Sequence, residues 1–82
     1  MSDGLNIPDA LIDLQRASDD ARQRLAGLTG EEWDAQWRAW RDAAEQSQAA
    51  ITRHAAEAGT SRVEVERAVK SRVRHPELYQ EQ

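Results

Sequence analysis

Two stripes of apolar and small residues organise the chain. In the first, Ile7, Leu11, Leu14, Ser18, Ala21, Leu25 and Leu28 recur at alternating intervals of four and three. That is a heptad repeat, the spacing of an α-helix with one apolar seam. Asn6 precedes Ile7-Pro8-Asp9, an order that suits an N-cap, a proline in the first turn and an acid at the positive helix end. Gly27 offers a left-handed stop. A first helix is therefore predicted over residues 7–27. The second stripe, Trp33, Trp37, Trp40, Ala44, Ser47, Ile51, His54 and Ala58, keeps the same spacing up to Gly59. Thr29 and Glu32 have the spacing of a capping box, and Leu28 and Trp33 flank it as a hydrophobic staple. A second helix is predicted over 30–58.

A connection of about two or three residues makes these helices antiparallel. Counting outward from the turn pairs Leu28 with Trp33, Leu25 with Trp37, Ala21 with Trp40, Ser18 with Ala44, Leu14 with Ser47, Leu11 with Ile51 and Ile7 with His54. Bulky residues mostly meet small or medium ones, which supports the register. Ser61 and Glu64 form a second capping-box pattern, opening a third helix over 61–75 whose Val65, Ala68, Val69 and Val73 share a face. Pro76 closes it. The expected fold is all-α, a long helical hairpin with a short third helix at its open end. One domain spans 7–75 between a flexible N-terminal tail, 1–6, and a frayed C-terminal tail, 76–82.

Composition narrows the chemistry. The 82 residues contain no cysteine, so neither a disulfide nor a thiolate metal site staples the fold, and packing or self-association must hold it. No leader-like apolar segment and no run of about 18 apolar residues is present, so a cytoplasmic protein that does not enter the membrane is expected. His54 and His75 have no carboxylate at ligand spacing on the same helical face, and the pairs Asp19-Asp20 and Glu31-Glu32 point to different faces. With no phosphate loop and no nucleophile elbow either, no metal, cofactor or catalytic site is expected.

The net charge of −4 opposes blanket attraction to nucleic acid, but the charge is uneven. Residues 1–59 carry six arginines against eleven acids, whereas residues 60–75 carry Arg62, Arg67, Lys70, Arg72 and Arg74 against Glu64 and Glu66. Within 54–70, Ala55, Ala58, Gly59, Ser61, Val65 and Ala68 resemble the helix-turn-helix of lactose-repressor-type DNA-binding regulators. His54 and Thr60 depart from that pattern, standing where aliphatic residues are usual. The resemblance implies a recognition helix with Arg62, Arg67, Lys70 and Arg72 as DNA contacts. The same residues also suit a plain helical corner with solvated cations.

Trp33, Trp37 and Trp40 fit core packing near the turn or an exposed partner surface. Because a valine face and a heptad seam exceed what one hairpin covers, a homodimer is expected, with Trp33, Trp37, Trp40, Val65, Val69 and Val73 as its surface. Two functions follow: a protein–protein interaction or adaptor module, and a small helix-turn-helix regulator.

Overall fold

The structure is a computed structural model and describes residues 6–75. It contains three helices, α1 (Asp9–Gln23), α2 (Gly30–Ala58) and α3 (Arg62–Arg74), with no strand among the described residues. Residues 1–5 of the expected N-terminal tail 1–6, the whole C-terminal tail 76–82 and the stop at Pro76 lie outside those residues.

The first helix is shorter than its stripe. Pro8, not Asn6, is the N-cap, with extended backbone and no side-chain cap bond, and α1 begins at Asp9. Ile7 and Ile12, at the two positions of a hydrophobic staple, both join the core. At the other end the helix stops at Gln23 instead of residue 27. Its last carbonyls are nonetheless all used. Asp20 accepts from the Arg24 amide, Arg22 from Leu25 and Gln23 from Ala26, while Ala21 accepts from the Gln36 side chain at 2.8 Å. The Leu25 and Ala26 bonds reach back three residues, so the chain tightens out of α-geometry, and Gly27 turns it at φ 85°. The connection is thus residues 24–29, longer than expected, and Leu25 and Leu28 leave the helix.

The later boundaries follow local signals more closely. Thr29 precedes α2 but makes no side-chain cap bond, so the expected capping box does not form. Gly30, at φ 63°, gives a left-handed first residue where a capping box needs a right-handed turn. At the far end, Gly59 (φ 68°) brings its own amide to the Ala56 carbonyl and the Thr60 amide to the Ala55 carbonyl, the paired bonds of a Schellman stop. Ser61 then caps α3 by accepting from the Glu64 amide at 3.5 Å. The Glu64 carboxylate does not return the bond but accepts from the Thr60 hydroxyl at 3.2 Å.

α3 turns back along the hairpin. Near its start the Arg62 Nε–H donates to the Thr52 hydroxyl at 3.0 Å, and near its end Val73 and Arg74 line the same groove as Trp40 and Ala44 of α2 and Arg22 of α1. The core forms where all three helices meet, from Ile7, Leu11, Ile51, Ala55, Val65 and Val69. This corrects the two-helix seam. Gln15 is buried rather than Leu14, and Ala55 rather than His54, because α3 covers the side of the hairpin that carries Gln15 and Ala55. One step along a helix rotates a side chain by about 100°, so covering that side shifts the buried arc by one position. Ser47 accordingly bonds Gln15, next to the expected Leu14, at the level set by Leu11 and Ile51.

Candidate partner-binding groove

Length decides where the core ends. The 13 residues of α3 span about 20 Å and the 29 of α2 about 43 Å. α3 therefore closes only the open half of the hairpin. A polar layer marks the limit: Ser47, 2% exposed, donates its hydroxyl to Gln15 Oε1 at 3.0 Å, and Gln15 Nε2 donates to Asp19 Oδ1 at 3.0 Å.

Beyond that layer lie the tryptophans. Trp33 is 39% exposed, and Trp37 and Trp40 are half-buried. Core packing, one of the two roles expected for them, is not what this arrangement gives. Arginines rest on two of the rings, Arg41 at 5.5 Å from the Trp37 centroid and Arg22 at 5.9 Å from that of Trp40. Each such cation–π contact is worth about 0.5–1 kcal/mol at an exposed site. Two openings flank Trp40. One, of about 540 Å³, lies where α3 stops and is lined by Arg22, Trp40, Ala44, Ser47, Lys70 and Arg74 among others. The other, about 450 Å³, runs over Trp37, Trp40 and Ala44 and is rimmed by the exposed ion pair Arg41–Glu45.

The valines belong elsewhere. Val65 and Val69 are wholly buried inside the chain against Ile51 and Leu11, so they are not a dimer surface, and Val73 is half-buried beside the larger opening. The separate valine face that motivated a homodimer is covered by the hairpin itself.

The four cations considered for DNA do not share one face. Arg67 and Lys70 are exposed together with Val63 and Arg74, whereas Arg62 and Arg72 lie half-buried on the flanks of α3. Glu66 binds both neighbours one turn away, Arg62 at 3.0 Å and Lys70 at 3.1 Å. The hydrogen bond from Lys70, with the charges of Lys70 and Arg62 and a bond from Gln48, holds the Glu66 carboxyl below its ordinary value, against the upward pull of partial burial. A carboxylate lowered in the folded chain stabilises above the ordinary carboxylate range and loses that contribution as pH falls through its folded value. Replacing Glu66 by Gln should cost about 0.3–0.5 kcal/mol per pair at neutral pH. Thermal melts should show this gap closing as the solution is acidified through the carboxylate range; a gap independent of pH contradicts the pairing.

Among the described residues, no group of three or more His, Cys, Asp and Glu side chains is placed to hold a metal ion, and no helix is long and apolar enough to cross a membrane. Comparison with known proteins finds no matching family model, curated protein or solved structure. The site therefore rests on its own geometry.

Proposed function

We propose that this chain is a non-catalytic protein–protein interaction module that takes its partner on the tryptophan half of the hairpin. One observation carries the reading: the three largest side chains stay partly exposed outside a core completed without them, and an opening on α2 runs over two of them, Trp37 and Trp40. Partly exposed tryptophans with arginines on their faces have the composition of binding hot spots. Comparing nuclease-treated host extracts captured on the native chain and on a Trp37→Ala, Trp40→Ala variant tests it. The native chain should retain a polypeptide that the variant loses while keeping its helical circular dichroism; identical retention removes the reading.

A helix-turn-helix regulator is the second reading, favoured by the Gly59 turn, the Ser61 cap and the exposed row Val63, Arg67, Lys70 and Arg74. It is the weaker one, because a recognition helix stands at roughly 90–120° to its neighbour and projects from the domain. α3 instead lies back along α2 with Lys70 engaged by Glu66. Fluorescence anisotropy with random duplex DNA at low salt separates the two. The interaction reading expects no binding, whereas a regulator shows salt-sensitive binding at roughly 10–100 μM.

A further inference from the structure

α3 itself shows what the hairpin accepts. Over the open half it packs Val65 and Val69 against α1 and α2; at its last turn the channel between the helices opens onto Trp40 and Ala44, and on the other side of Trp40 an apolar surface of α2 runs on over Trp37. The larger opening carries Arg22 from α1 and Lys70 and Arg74 from α3 against one acid, Asp19, which accepts a bond from Gln15, and the Trp37 side adds Arg41 and Glu45, which pair with each other. Lys70 also serves Glu66, so Arg22 and Arg74 are the cations that dominate. A positive opening in a chain of net charge −4 is local charge placement, not a consequence of composition.

We propose that this channel binds an acidic amphipathic helix of a partner protein, laid in line with α3, with apolar anchors one turn apart on Trp40 and Trp37 and carboxylates facing Arg22 and Arg74. The inference rests on the interaction-module reading and names its partner class. Helix-in-groove recognition needs an apolar floor and a rim that selects charge, and both are present. A second copy is the poorer occupant. In a two-fold pair the same patch faces itself, which sets Arg22 and Arg74 of one copy near those of the other.

A display library of amphipathic helices tests this, with leucine or tryptophan anchors fixed and the polar face varied among Glu, Lys, Gln and Ser. The native chain should enrich Glu-rich faces. A selected peptide, remade synthetically, should bind the Arg22→Glu, Arg74→Glu variant at least about tenfold more weakly, and that variant should itself enrich Lys-rich faces. Both positions sit at the groove's surface, and a thermal melt confirms that the variant folds. Trp40→Ala provides a second check and should weaken the same peptide by a similar factor. Enrichment of neutral or basic helices that require Trp40 overturns the acidic partner and leaves the interaction module standing. Acidic helices that bind the Trp40→Ala chain undiminished overturn the site. Failure to enrich any helix, with sedimentation showing a dimer that shields the tryptophans, gives the groove to a second copy and overturns the proposal; failure with a monomer overturns it together with the interaction reading.

Discussion

Replacing Ile51 by Ala is expected to cost about 2–5 kcal/mol, the range for emptying a fully buried aliphatic site. Ile51 has no exposed surface and belongs to the cluster formed by all three helices. A domain of this size has roughly 4–12 kcal/mol in total, so the variant loses a large part of its stability. Its melting temperature should fall by more than about 10 °C. Trp37→Ala removes a larger side chain, yet one that solvent already reaches, and should cost less than half as much. Urea titrations of the two variants check the contrast. Equal losses contradict a core confined to the open half.

The second large effect concerns the polar layer. Gln15→Leu leaves the buried Ser47 hydroxyl without its acceptor, and Ser47→Ala leaves Gln15 Oε1 without its donor. Each single change should cost about 1–3 kcal/mol, since an unpaired buried polar group carries its full desolvation penalty. Replacing both partners with apolar groups, Gln15→Leu with Ser47→Ala, should come close to the native value. The double-mutant cycle should then show a coupling of at least about 0.5 kcal/mol. Strictly additive losses mean that the two side chains do not act as a pair.

Why some elements were legible and others not follows from the range of the forces that set them. α2 spans the expected 30–58, and α3 falls within one residue of 61–75, because Gly59 and Ser61 terminate helices through bonds to residues a few positions away. The end of α1 is set at longer range. Gly27 is left-handed as expected, but the helix gives way at Gln23, where Gln36 of the other helix takes the Ala21 carbonyl. No local signal marks that bond. The heptads also assume a partner on one side of each helix. α3 adds a second contact surface, so Gln15 and Ala55 go inside in place of Leu14 and His54.

The tryptophans show the same limit in the candidate site. Their spacing places them on the seam, but burial depends on whether another element is long enough to cover them, and α3 ends beside Trp40. Arg74 was missed for a related reason. The helix-turn-helix pattern drew attention to Arg62, Arg67, Lys70 and Arg72, whereas 100° steps from Val63 through Arg67 and Lys70 lead to Arg74 and away from Arg72. Helical geometry applied to the exposed face of α3 alone was enough to find it.

Acrylamide quenching of single-tryptophan chains, with the other two replaced by Phe, tests the central claim that the turn half of the hairpin is an open surface. All three indoles should be quenched in the free protein, Trp33 most readily, with the same constants across about a hundredfold dilution. A Trp37 or Trp40 shielded at every concentration would place these rings in a closed core and contradict the account.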